Sequence, residues 1–159
     1  MIERQYANAL LAKHWSGRTL PIDPAAIASS EGVGVTPFGF DELAAASGWY
    51  RLVDGRPVIF YNPTEAPTRQ RFTIAHELGH HAMAHGPRPR DGAAAFNLMN
   101  YDPIEASANR FAAELLMPEA TLRLMVADRN YASIQSLASA FNVSEVAMTY
   151  RLKNLGIVE

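Results

Sequence analysis

The chain has 159 residues, 48% of them apolar and 19% charged, which is enough to bury one ordinary core and too apolar for a disordered segment. A net charge of −2 gives no support to binding driven by bulk charge, whether to nucleic acid or to anionic membrane. Cysteine is absent, which excludes disulfides, thiol nucleophiles, Cys-ligated zinc and iron–sulfur clusters and leaves His, Asp and Glu to hold any metal.

In chain order, the first residues, Met1 to Tyr6, lack the basic and apolar regions of an export signal, and no apolar run approaches the ~20 residues that span a bilayer. The expectation is a soluble cytoplasmic protein without membrane contact. Residues 2–13 read as a helix with Tyr6, Leu10 and Lys13 near one face. Asp23-Pro24 is a cap followed by proline at the first helical position and starts a second short helix through Ser29. Gly32 to Val35 suggests a short strand, and Asp41 to Ala46 another short helix. Trp49–Val53 and Val58–Tyr61 flank Asp54-Gly55 and read as a β-hairpin, with Pro57 at a strand start that an edge strand tolerates.

From Thr68 to His85 the apolar spacing becomes helical, and Gly86-Pro87 stops it. Residues 87–100 read as a loop or a lid. Asp102-Pro103 caps a helix that runs to about Met117, and the remainder is helical, with breaks near Asn130 and Asn142.

The chemistry concentrates at His76-Glu77-Leu78-Gly79-His80, an H-E-x-x-H motif on the predicted central helix. At 100° per residue the two histidines stand about 40° apart and one turn along, so their imidazoles can converge on one ion. Glu77 lies about 100° round from His76, poorly placed as a ligand and well placed to contact a water on the metal. Zinc with three protein ligands keeps a fourth position for water and lowers its pKa towards about 7. Glu77 can then take the proton and pass it to a leaving amine. With 5 His in the chain, composition alone would produce this motif ~0.01 times.

The third ligand must come from elsewhere. Glu105 and Glu114 sit about 180° apart on the next helix and cannot both face the metal. Glu105 shares its face with Ala108, Asn109 and Ala112, small residues that would let this helix approach Gly79 closely. The same Glu105 fits a capping box with Asp102, so spacing leaves ligand and cap both open. Glu114 reads as solvated or salt-bridged, and His81 and His85 as surface or supporting histidines, with His85 able to swing inwards past the Gly86 helix end.

Arg69-Gln70-Arg71-Phe72-Thr73-Ile74-Ala75-His76-Glu77-Leu78-Gly79-His80 closely resembles the metal helix of the ImmA/IrrE family of metallopeptidases. Asn109-Arg110-Phe111-Ala112-Ala113-Glu114-Leu115-Leu116-Met117-Pro118 resembles that family's second signature. Similar too are the stretch around Leu20-Pro21-Ile22-Asp23 and the C-terminal part from Leu137-Ala138 through Phe141, Val143-Ser144 and Ala147-Met148 to Arg151-Leu152. The chain is thereby identified as a short, stand-alone member.

The resemblance implies a gluzincin-like α+β fold: a small zincin-like metallopeptidase domain, its β-hairpin packed on the motif helix, with a helical, helix-turn-helix-like C-terminal part. Residues 1–118 would form the core, and 119–159 a subdomain packed on it. The family's second signature carries a Glu four residues before its Asn as the third zinc ligand, which here is Glu105. Many members also have a Glu two residues before that Asn, where this chain has Ser107. The implied activity is zinc-dependent endopeptidase action on a helix-turn-helix repressor, in prophage induction, mobile-element control or stress response.

Ser133–Phe141, a turn at residues 142–144, and Glu145–Leu155 match helix-turn-helix spacing, with Ser144 an N-cap and Gly156 a C-cap. Residues 121–159 carry four basic and three acidic side chains, too little positive charge for a DNA reader, so partner docking or a structural role is expected over direct DNA binding.

The resulting expectation is a metal held by His76, His80 and Glu105, with Glu77 as the catalytic base. Zinc is expected, although two His and a carboxylate also suit iron or manganese. Tyr61, Tyr101, His85 and Asn109 are the candidates to stabilise the transition state or support the ligands, and the strand Val58, Ile59, Phe60, Tyr61 to pair with an extended substrate. The alternative is a non-proteolytic, metal-containing regulatory partner, or a toxin–antitoxin component, that binds a repressor without cutting it.

Overall fold

The computed structural model describes residues 1–17, 19–39, 47–86, 88–90, 101–131 and 133–159, with 88–90 as backbone only. The expected helix over Asp41–Ala46 lies outside these residues, as do 87 and 91–100 of the expected loop. The architecture is a small α+β fold. Helix α1 (Ile2–His14) and α2 (Pro24–Ser30) lead into β1 (Gly34–Pro37), and β2 (Gly48–Val53) and β3 (Arg56–Tyr61) form the hairpin. The motif helix α3 (Pro67–Ala82) follows, then a short strand β4 (Arg88–Arg90), α4 (Pro103–Leu116), α5 (Glu119–Val126), a 3₁₀ turn at Arg129–Tyr131, α6 (Ile134–Phe141) and α7 (Glu145–Asn154). Among the described residues, no helix is long and apolar enough to cross a membrane.

The helix starts follow from local chemistry. Asp23 and Asp102 each accept backbone N–H bonds from the first turn behind them, with proline at the first helical position. Ser144 caps α7 by accepting from the Ala147 N–H, and Gly156 follows it in the left-handed region at φ 66°. The hairpin turns at Asp54-Gly55, both at positive φ, as a two-residue loop demands.

Four strands make one sheet in the order β1-β3-β2-β4, with β1 parallel to β3 and the other pairs antiparallel. This corrects two expectations. Strand β3 is internal, hydrogen-bonded to β1 on one side and β2 on the other, so Val58, Ile59, Phe60 and Tyr61 have no free edge to offer a substrate strand. Pro57 is tolerated because it stands near the strand start. Residues 88–90, expected within a loop, instead form the outer strand beside β2.

Helix α1 also differs from its reading. It buries Glu3, Ala7, Leu10 and Leu11, while Tyr6 is 41% exposed. Glu3 displaces the tyrosine from the inner face because it has partners there. Its carboxylate accepts from Arg110 Nη2 at 2.7 Å and from Ser107 Oγ at 3.0 Å, both on α4. Burial alone would raise the Glu3 carboxyl, but these bonds outweigh it and hold it below its ordinary value.

The sheet and α1, α2, α3 and α4 share a hydrophobic core with α5, α6 and α7, which contribute Leu122, Leu137, Phe141, Met148 and Leu152. Two arginines, the half-buried Arg71 and the buried Arg151, tie these layers together. Arg71 of α3 donates to the carbonyls of Ile22 and Asn142, at 2.7 and 3.1 Å. Arg151 of α7 donates to the Met117 carbonyl at 3.0 Å and pairs with Glu114, which is buried rather than solvated. Removing one member of such a pair leaves an uncompensated buried charge, so the pairing fixes α7 against α4.

The contact that matters most for the site is between α3 and α4. A Cβ built on Gly79 would lie 2.8 Å from Phe111 Cδ1, and Ala108 and Ala112 are fully buried. Only glycine lets the two helices come this close. Gly79→Ala should therefore overpack the seam and destabilise the chain by about 1–3 kcal/mol. Chemical denaturation checks this, and an unchanged midpoint would show that the seam has slack.

Candidate metal centre

Helix α3 places His76 and His80 one turn apart on its buried face, each 1% exposed. Helix α4 crosses in front with Glu105 in its first turn. The three donors converge. His76 Nε2 is 2.7 Å and His80 Nε2 3.3 Å from Glu105 Oε2, and the two Nε2 atoms are 3.1 Å apart. Among the described residues, this is the one group of three or more His, Asp or Glu side chains able to share an ion.

The donor set fits zinc. Ligand atoms about 2.0–2.1 Å from a tetrahedral ion stand about 3.3 Å from one another, close to the spacings here. The Glu105 side chain is 28% exposed while both imidazoles are buried, so the cluster opens to solvent on the carboxylate side. Burial by itself would raise the Glu105 carboxyl, but hydrogen bonds from His76 and His80 outweigh it and hold it well below the usual carboxylate range. It is ionised at neutral pH. Of the two readings of Glu105, its carboxylate meets the imidazoles, while the cap is supplied by Asp102 accepting from the Ile104 N–H at 2.9 Å.

The outer nitrogens of both imidazoles are held. His76 Nδ1 lies 2.7 Å from Asn109 Oδ1, and a neutral ring that donates its Nδ1–H there keeps an Nε2 lone pair for a metal, in place of the Nε2–H that otherwise bonds Glu105. His80 Nδ1 is 2.9 Å from His85 Nδ1. If His80 turns a bare Nε2 to the cluster, its Nδ1–H must donate, and His85 must then accept as a neutral ring protonated on Nε2.

His85 reaches inwards because α3 ends in a Schellman motif. Ala84 adopts φ 57°, the His85 N–H bonds the His80 carbonyl at 2.9 Å, and the Ala84 N–H bonds that of His81 at 3.1 Å. The helix therefore stops before His85, which sequence periodicity had carried along it. His81 points to the sheet instead, its Nδ1 2.8 Å from the Tyr50 hydroxyl.

Glu77 is fully buried on the sheet side of α3. Strand β2 passes it at Gly48, where a Cβ would sit 3.5 Å from Glu77 Cγ and only 2.3 Å from Thr73 Cγ2. Sequence reasoning overlooked Gly48. The signal was a glycine at the start of a predicted strand, which can mark a close backbone approach. The remaining candidates do not join the cluster. Tyr61 packs half-buried against the core, and Tyr101 is 68% exposed beside Arg110.

The model of the peptidase family described as the IrrE N-terminal-like domain matches residues 31–153. A search of curated proteins finds no match.

If Asn109 orients His76 for a metal, Asn109→Ala should weaken zinc binding about 10–100-fold while the fold survives. Competition against a fluorescent zinc chelator, with circular dichroism alongside, checks this. Unaltered affinity would reduce the contact to packing.

Proposed function

This chain belongs to the IrrE N-terminal-like peptidase family, a family of metallopeptidases, and on that footing we propose that it is a cytoplasmic, zinc-dependent endopeptidase that cleaves or inactivates a helix-turn-helix transcriptional repressor. Relief of repression in a prophage, mobile element or stress response is the outcome this reading assigns to it. The observation that carries the proposal is the convergence of His76, His80 and Glu105 beside a buried Glu77.

His76, His80 and Glu105 would hold the ion. When bound, zinc supplies a Lewis acid that polarises a peptide carbonyl and acidifies water to a pKa near 7. The protein's own residues do the rest. Asn109 and His85 fix the ring orientation of the two histidines, so the site is built before substrate arrives. The Glu77 carboxylate takes a proton from the attacking water and delivers it to the amine nitrogen that leaves.

An extended substrate needs a strand edge. With β3 enclosed, β4 is the better candidate, since it pairs with β2 through Arg90 opposite Gly48, the residue packed on Glu77. A peptide beside β4 would lie one strand further out from this point of contact.

Direct DNA binding is not part of this reading. The α6–α7 pair has the helix-turn-helix order, but its second helix exposes Val146 and Tyr150, at 66% and 65%, rather than a basic face.

Glu77→Gln should retain zinc, read by elemental analysis, and lose about 10²–10⁴-fold in cleavage of a helix-turn-helix repressor encoded beside its gene. Undiminished cleavage would remove Glu77 from the mechanism. A repressor left intact by the zinc-loaded wild-type chain, yet held in a stable complex, would instead favour a binding partner that does not cut.

A further inference from the structure

A groove of about 720 Å³ opens between the N-terminal half of α3, the middle of α4 and the outer face of α7. Its size is that of a site for a ligand rather than a packing fault. It adjoins the metal cluster through one shared residue. Asn109, which holds His76 Nδ1, also lines the groove, and the α3–α4 seam runs from His76 and Glu105 past Phe72 and Ala113 to Met117.

The groove's chemistry is mixed in a specific way. Phe72, Val146 and Tyr150 give it an apolar surface, and Val146 and Tyr150 remain mostly exposed. Its charged lining is Arg69, Arg110 and Arg151, with no Asp or Glu. The carboxylates that pair with these arginines, Glu65, Glu3 and Glu114, do not line it. The N-terminus of the ten-residue helix α7 also opens here at Ser144, adding the positive end of a helix dipole. An apolar cleft rimmed by cations alone complements a segment that presents carboxylates between apolar side chains, as in helix-in-groove recognition.

We propose that this groove is a docking site for an acidic, amphipathic segment of the protein substrate, separate from the bond that is cut and held next to the metal centre. The proposal rests on the peptidase reading of that centre and deepens it. The catalytic cluster need then recognise little beyond an extended backbone, and substrate choice falls to α7. This gives the C-terminal helices a function that their weak positive charge denies them as a DNA reader.

The test is a selection of short random peptides displayed on phage against the zinc-loaded Glu77→Gln chain, followed by anisotropy measurements on fluorescein-labelled winners. The expected winners carry Asp or Glu interleaved with Leu, Ile or Phe. Val146→Glu and Tyr150→Ala, both on exposed positions of α7, should each weaken their binding by at least about tenfold, with zinc content and circular dichroism unchanged. Binding should survive chelation of the zinc. Basic winners, winners unaffected by both variants, or winners lost on chelation would overturn the proposal. So would salt-sensitive binding of a short DNA duplex that Val146→Glu abolishes, which would make the groove a nucleic-acid surface. Because the readout is binding by an inactive variant, failure of the groove leaves the catalytic reading standing. Absence of cleavage by the wild-type chain would leave the groove standing.

Discussion

The close approach of α3 and α4 at Gly79 governs the rest of the molecule. The two histidines belong to one helix and the carboxylate to another, 25 residues beyond His80 in the chain. Nothing local brings them together. The helices meet because one contributes a glycine where the other presents Phe111, and because Ala108 and Ala112 add no bulk. Glu105 thereby reaches both Nε2 atoms without leaving the first turn of its helix. A seam wider by the thickness of a methyl group would separate the donors by more than one ion can bridge.

Holding such a site in register is costly, because buried polar groups need partners. The structure meets this need by extending the polar set outward from the seam. Asn109 sits one turn beyond Glu105 on α4 and takes the outer nitrogen of His76. The left-handed Ala84 folds the chain back so that His85 takes that of His80. Elsewhere on α4, Arg110 and Ser107 bind Glu3 of α1, and Glu114 binds Arg151 of α7. Helix α4 is therefore pinned along its length by charge pairs on two sides, which sets the rotation that aims Glu105 at the histidines. The Ser107 hydroxyl meets the Glu3 carboxylate brought in by α1.

The parts legible in the sequence are those whose geometry is local. His76 and His80 could be paired because both lie on one helix, four residues apart, and helix pitch alone fixes their relation. Caps at Asp23, Asp102 and Ser144 and the Asp54-Gly55 turn were legible for the same reason. Glu105 was not, since a carboxylate at the third position of a capped helix serves a cap or a ligand equally well until the packing of α4 on α3 is known. The resemblance to a family, rather than spacing, favoured the ligand. Strand order was also hidden. The hairpin was visible, but the parallel partner β1, which encloses β3, is a long-range pairing with no local signature. Glu114 reads from the sequence as solvated or salt-bridged; it is salt-bridged, but its burial was hidden because its partner, Arg151, lies 37 residues away. The early end of α3 was missed because the left-handed residue is an alanine rather than the glycine that usually marks it.

The central claim, that the α3–α4 seam builds a centre of two imidazoles and one carboxylate, is tested most directly by zinc X-ray absorption spectroscopy on the full chain loaded with one equivalent of metal. The expected result is a four-coordinate ion with two imidazole nitrogens at about 2.0–2.1 Å and the remaining ligands oxygen, and loss of the ordered site in Glu105→Ala. A shell containing three imidazoles, with His85 as a ligand, or an unchanged spectrum in Glu105→Ala, would contradict it.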